Sequence, residues 1–506
     1  MPKRRSLAPV LFLLLCLAVS AACAAGDQAH WGQWPSRNMV SDELGLPDSF
    51  DPATGLNIKW SVKLGTQTYS TPIAARGKVF IGTNNDLPRD PEHKGDCGVL
   101  LCLDEKDGSL CWQLVVPKRE GDPYLDWPRA GWSSPPTIEG DRVYSVTNRG
   151  EVVCLDINGQ ANGNDGPYLD EGKHMAFAGG QPQKVGPTDA DVIWLFDLVS
   201  GAGIHTHDAV NASVLAAGPF LYVNSGNGVD NTHARIRCPN GPSLVVLDKA
   251  TGKLLAQDGE RIGPHIVHCS WSSPAMGEVN GRKLVFLGVG DGVCYAFEAL
   301  QAAPPQGQVQ TLKCVWRFDC DPNGPKENIH QYDMNRTESP SNITGMPVFH
   351  QGRVYVTAGG DVWHGKRQAW LKCIDASKTG DITGTGEVWS YELVRHCLSS
   401  VAIHDELLYI TDCGRRIHCL DADTGRPFWT HDTRDAIWAS PLVADGKVYV
   451  GTQGRDFWIL AAGKEKKVLS SVNLDSAISG TATAANGVVY IATMRQLHAL
   501  QKLPKR

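Results

Sequence analysis

From about residue 58 to its end, the chain is a succession of short apolar runs separated by turn residues, the pattern of many short strands. One unit is clearest late in the chain. Residues 398–403 read as a strand, 407–410 as the next, 417–421 as the third and 427–430 as the fourth. The joint between third and fourth strands runs from Asp421 through Thr424 to Gly425, where Asp can accept from nearby backbone amides and Gly can take a positive φ. The same joint recurs at 104–108, 248–252 and 375–380, and once more at 51–55, ahead of any complete unit.

Paired first and second strands recur from Ser70, Ser133, Ala212, Ser272, Thr344, Ser399, Ala439 and Gly480, which makes eight repeats. Self-similarity at such a period indicates an array of small sheets. The last repeat stops at its third strand, 497–500, whereas residues 58–62 form a fourth strand with no repeat of their own. Pairing these two ends closes a ring and removes two open strand edges, so the expectation is an all-β, eight-bladed propeller over residues 51–506.

The repeated Ser-Ser-Pro, Gly-x-Val-Tyr-Val, Leu-x-x-Leu-Asp and Thr-Gly, followed by Trp, resemble the PQQ-like (pyrroloquinoline-quinone-type) β-propeller repeat over almost the whole chain. The resemblance implies that a late-blade Trp docks on the neighbouring blade, and Trp60, Trp112, Trp194, Trp316, Trp389 and Trp429 match that position. The third repeat has Ala256 there, and the seventh has no Trp. Propellers of this kind include BamB-like binding scaffolds and quinoprotein dehydrogenases, and fold alone does not choose between them.

At the amino terminus, Lys3, Arg4 and Arg5 precede an apolar run from 7 to 19 and small residues around Cys23, which reads as a signal peptide over 1–25 and implies export to a periplasm or the extracellular side. Cys23 is a possible lipid anchor. Residues 26–50 read as an extension before the propeller, and nothing after the leader is apolar enough to span a membrane. The net charge of −6, with no basic block beyond the leader, argues against a nucleic-acid partner.

Loops entering the innermost strands and the turns between second and third strands should build the ligand face. They offer Trp132, Arg149, His205, His207, Asn211, Asn227, His268, Trp271, Arg336, Arg415 and Trp438. The densest cluster is 203–211 facing 224–233, where several His with Asp and Asn suit a metal or an acidic ligand, although their spacing matches no established metal signature. A second candidate is an oxygen-rich stretch with Asp156, Asn158, Asn162, Asn164 and Asp165, a calcium loop or else an Asn/Gly-rich surface turn. It opens an insertion over about 159–191, and a second insertion covers about 298–336. Thirteen cysteines follow Cys23, an odd number. Cys102 with Cys111, and Cys397 with Cys413, are the candidate disulfides, being close in the expected strand pairing.

The leading expectation is an exported, non-catalytic propeller scaffold that needs no cofactor and binds a protein or extracellular ligand at one face. The alternative that the resemblance implies is a pyrroloquinoline quinone- and calcium-dependent dehydrogenase of alcohols or sugars, with Asp208 or Asp230 as base and Asn211 as a calcium ligand. Against it, the chain has no adjacent Cys-Cys pair and no Cys-x-x-Cys-His for haem. A metal-dependent hydrolase or lyase using the His-rich loop is a third reading.

Overall fold

β-branched and aromatic residues at alternate positions, bounded by Asp-x-x-Thr-Gly and Asx-Gly turns, set the strands of eight antiparallel sheets in the computed structural model, which describes residues 26–119, 127–208 and 210–502. The expected leader and Cys23 lie outside the described residues. The sheets follow one another as blades, with innermost strands Ile73–Ala75, Thr137–Glu139, Leu215–Ala217, Ala275–Val279, Val348–His350, Ala402–His404, Leu442–Ala444 and Thr483–Ala485 in blades 1 to 8. The ring closes as expected. Strand Ile58–Lys63 pairs antiparallel with Gln496–Leu500, bringing Trp60 opposite Ala499 and Val62 opposite Leu497.

Each of the six Trp residues picked out from the repeat does the same thing. Its indole N–H donates to a turn carbonyl of the next blade, at 2.9–3.2 Å: Trp60 to Glu105, Trp112 to Ile157, Trp194 to Lys249, Trp316 to Ala376, Trp389 to Ala422 and Trp429 to Gly463. A buried indole needs such a partner, and the ring packs between blades while its N–H is satisfied. Under three of these rings lies the glycine of the Thr-Gly or Asp-Gly turn, because any Cβ at Gly108, Gly252 or Gly425 would meet Trp60, Trp194 or Trp389 at under 3 Å.

The Ser-Ser-Pro element differs from expectation. Residues 398–401 are not strand, and the innermost strand of blade 6 begins at Ala402. The hydroxyls of this element bond sideways instead: Ser134 donates to the Ala212 carbonyl, Ser273 accepts from the Ser213 amide, and Ser440 accepts from the Ser400 amide. Small hydroxyl residues recur there because they stitch neighbouring blades together around the axis.

The amino-terminal extension is part of the ring. Residues 28–41 thread the channel and hydrogen-bond to the innermost strand of every blade, meeting Ala74, Ile138, Ala216, Met276, Phe349, Ile403, Val443 and Ala484 in turn. Innermost strands expose an unpaired edge to the axis, and this segment satisfies it. At its centre the buried Arg37 donates to the carbonyls of Trp31, Ser213, Val214 and Pro274, and burial lowers its guanidinium to about 9.

The insertions cover outer edges. Within the first, Asp189 bridges to Gln113 on the outermost strand of blade 1. Within the second, Gln310–Thr311 adds a parallel strand to Leu254–Gln257 of blade 3. Among the described residues no helix is long and apolar enough to cross a membrane.

Candidate functional site

Above the threaded segment the channel opens into a cavity of about 700 Å³. Lead-in residues of all eight blades line it, among them Thr71, Ser133, Asn211, Trp271, Thr344, Leu398, Trp438 and Gly480, which places it on the propeller axis. Trp31 contributes from the threaded segment, and Met334 and Arg336 reach over from the loop before blade 5. Residues 28–41 pair with the innermost strand of each blade in turn beneath it, and the cavity above them forms a cup.

One wall is aromatic. Trp363 stands edge-on between Trp271 and Trp438, with ring centroids 5.5 and 5.7 Å apart at 83° and 78°. Arg336 holds the backbone of that wall by donating to the carbonyls of Val362, Trp363 and Gly365.

Beside the aromatic wall four histidines from three blades converge. His207 comes from the lead-in to blade 3 and His233 from the turn after that blade's second strand. His268 enters from the lead-in to blade 4, and His364 from the turn between strands Arg353–Gly359 and Ala369–Asp375 of blade 5. The His268 ring lies 4.8 Å from His207, 5.3 Å from His233 and 4.6 Å from His364 between centroids. Three Nδ1 atoms face acceptors: His207 the Val229 carbonyl at 2.9 Å, His268 the Asp361 carboxylate at 3.2 Å, and His364 the Asp333 carboxylate at 2.7 Å. Asp361 is fully buried and also accepts from Asn342 Nδ2 and from the amides of Trp363 and His364, all at 2.9 Å.

Burial and charge set the protonation of this group. Burial, reinforced by the neighbouring imidazoles, lowers His207 to about 2 and keeps it neutral. Burial alone would raise the Asp361 carboxyl, but the charge of His268 outweighs it and the carboxyl is lowered. Burial likewise pulls His268 down, and Asp361 more than offsets it, so that the imidazole is raised. Asp208 is pushed up to about 6 by burial against the opposing pull of His268 and Lys118, and its backbone sits in the left-handed region at φ 57°.

Of the ligand-face residues expected from the sequence, Asn211, His268, Trp271, Arg336 and Trp438 line the cavity, as does Asp208, and His207 packs behind His268. Others go elsewhere. Trp132 is buried between blades with its indole on Ser145, its bulk being taken by the core. Arg149 pairs with Glu151, which also takes His174 from the first insertion. His205 and Asn227 are buried loop braces, with the Asn227 carbonyl accepting from the His205 amide and its amide donating to Cys238. Asp230, a candidate base, is committed to Thr232 and Arg235 away from the cavity. Arg415 sits on an exposed hairpin turn.

The calcium-loop reading is corrected: Asp156 spends its oxygens on Arg142 and the Asn158 amide, Asn162 donates to Asp165, and Asn164 donates to Glu171, so these groups brace a turn and do not converge on an ion. The disulfide candidates are corrected too, since the thirteen described cysteines are free thiols. Cys102 lies opposite Trp112 and hydrogen-bonds the Cys111 thiol, and Cys397 and Cys413 turn to the carbonyls of Thr411 and Ile437.

Trp363 and His364 were not among the expected residues, although a signal was present: the turn after Gly359 is longer than the corresponding turns of blades 2, 4, 6, 7 and 8 and carries Asp, Trp and His together. Pyrroloquinoline quinone with calcium does not fit the cup. Hard Ca²⁺ needs six to eight oxygen donors, whereas imidazole nitrogens dominate here and the oxygens of Asp361 are already taken by His268, Asn342 and two amides. The neighbours of Cys269 are His268 and Ser270, so no adjacent cysteine pair stands beside the cup either.

The family described as outer membrane protein assembly factor BamB matches residues 95–162 and 367–503. Among solved structures, BamB from Moraxella catarrhalis is similar at 14% identity with a TM-score of 0.53, covering 87% of this chain and 98% of that one. The computationally designed Ika8 protein is similar at 12% identity with a TM-score of 0.50, covering 88% and 99%. At these identities the likeness is one of fold. No curated protein matches.

Proposed function

With this chain a β-propeller of the PQQ-like repeat family, we propose that it is an exported, non-catalytic binding scaffold of the cell envelope, receiving a protein partner at the mouth of the cup. The observation that carries the reading is the aromatic wall of Trp271, Trp363 and Trp438 on a cavity of about 700 Å³, a size and character suited to apolar side chains of an inserted segment. The exposed Met334 at the rim adds a side chain that adapts to varied partners. The leader-like sequence before residue 26 supports export, and the BamB-described match supports an envelope setting.

Site-specific photo-crosslinking in the producing cell tests this reading. A photoreactive side chain at Met334 is expected to trap a discrete protein, and one at Val468, on the outermost strand of blade 7, is not. Titration of pyrroloquinoline quinone with Ca²⁺ is expected to give no heat and no dye-linked oxidation of alcohols or sugars. No crosslink at Met334 together with quinone binding and turnover would replace the scaffold with the dehydrogenase.

A further inference from the structure

The four converging histidines are more than the wall of a binding cup needs. Imidazoles are costly to bury without partners, and a surface for apolar side chains gains nothing from bringing them together. Nine-tenths or more of His268 is shielded, and its Nε2 has no hydrogen-bond partner. A carbonyl oxygen can only accept, so the 2.9 Å bond to Val229 fixes the proton of His207 on Nδ1 and leaves the lone pair on Nε2. The Asp361 carboxylate favours the same tautomer in neutral His268, and Asp333 does so in His364. Tying down one ring nitrogen with a carbonyl or carboxylate, so that the other is presented inward, is how proteins orient imidazoles toward a metal.

The donor geometry agrees. One donor atom from each of His207, His233 and His268 can be chosen so that all lie within 4.8 Å of one another. A tetrahedral ion with bonds of about 2.0 Å holds its ligands roughly 3.3 Å apart, so small side-chain rotations close the set. Asp208 supplies a carboxylate oxygen 3.6 Å from His207 Nε2 and 3.9 Å from His268 Nε2. A left-handed φ of 57° at this non-glycine residue holds that oxygen near the imidazoles, the kind of backbone cost that collects at ligand sites.

We propose that His207, His233 and His268, with Asp208 as the acidic ligand and Asp361 as the orienting carboxylate, form a site for a divalent first-row transition metal such as Zn²⁺. Imidazole nitrogen selects such ions over Ca²⁺ and Mg²⁺, which take oxygen. His364, its ring stacked 4.5 Å from His233, lines the cavity beside the site. The proposal stands on the histidine geometry and not on the scaffold reading, so either can fail alone.

The test uses the full mature chain stripped with a chelator and dialysed, then titrated calorimetrically with Zn²⁺, with Co²⁺ as an optical probe of coordination. One Zn²⁺ per chain is expected, Ca²⁺ should not compete, and bound Co²⁺ should give the intense visible bands of a tetrahedral nitrogen-rich site. His268→Gln should abolish the bands and the heat. Asp361→Asn, nearly isosteric, should weaken Zn²⁺ by roughly 10–100-fold while near-ultraviolet circular dichroism stays unchanged. His404→Gln, at the exposed end of the innermost strand of blade 6 and outside the cluster, should bind like the parent. Absence of one-to-one binding in the parent, or folded His268→Gln and Asp361→Asn proteins that bind Zn²⁺ as tightly as the parent, would overturn the site.

Discussion

Substituting Gly425 and Gly446 separately with alanine tests whether the Trp-on-turn contact holds neighbouring blades rigidly. The two glycines have the same backbone, with φ 71° at Gly425 and 66° at Gly446, so each alanine meets the left-handed penalty of about 1 kcal/mol. Their surroundings differ. A Cβ on Gly425 would lie 2.5 Å from Cε3 and 2.7 Å from Cδ2 of Trp389, while one on Gly446 has no atom within 4 Å. Trp389 has little room to retreat, because its indole N–H is bonded to Ala422 and its ring packs on Tyr355 at 5.9 Å. Forcing a methyl into such a contact costs a further 1–3 kcal/mol or so. Gly446→Ala should therefore lose about 1 kcal/mol and Gly425→Ala about 2–4 kcal/mol, read from urea unfolding curves of equal slope. Equal losses in the two variants would refute the rigid docking and reduce the recurring Trp to a loosely held filler.

Two further outcomes follow from buried titrating groups. Asp291 is raised by burial from 3.8 to about 7 while accepting from the Tyr295 hydroxyl. A carboxyl whose folded pKa is raised contributes stability that is complete below the unfolded value and is lost as pH climbs through the folded one, so unfolding free energy should fall between about pH 4 and 7 by up to about 4 kcal/mol. Asp291→Asn should flatten that slope, which equilibrium unfolding at several pH values would measure. Cys111 is lowered to about 7, first by the hydrogen bond from Cys102, and is half-buried, whereas burial raises Cys102 well above the usual thiol range. Brief iodoacetamide treatment at neutral pH should alkylate Cys111 ahead of Cys102, as peptide mass mapping would show; preferential labelling of Cys102 would contradict the assignment.

The ring was legible because its determinants are local and repeated. The turn Asp-x-x-Thr-Gly, the Trp that follows and the hydrophobic alternation recur, so the orphan strand Ile58–Lys63 could be assigned to blade 8 from the sequence. The threaded segment was not legible, since residues 28–41 carry no periodic pattern and meet their eight partners one residue at a time. The histidine cluster was half visible. His207 and His233 lie in loops that the sequence already marks as dense in His, Asp and Asn, and His268 was a separate ligand-face candidate, but Asp361 and His364 belong to blade 5 and join them only through ring closure. Trp132 misled for a related reason: a lead-in Trp can face the axis, as Trp271 and Trp438 do, or turn into the core, and only the neighbouring blade decides.

The amino-terminal stretch carries two duties. Residues 58–63 close the ring by pairing with the last strand, and residues 28–41 occupy the channel and satisfy the inner edge of every blade. Arg37 anchors the second duty at a cost, for its guanidinium is stripped of water and held by neutral acceptors, four carbonyl oxygens and the Ser213 hydroxyl. Such a cost is tolerable where the four carbonyls, from blades 3 and 4 and from the segment itself, would otherwise stand unpaired. Above that segment, His233, His268 and His364 line the same cavity as Trp271, Trp363 and Trp438. The aromatic wall and the imidazole cluster thus share one cavity, with His268 in ring contact with both Trp271 and Trp363, so that a segment bound against the tryptophans would lie beside the histidines.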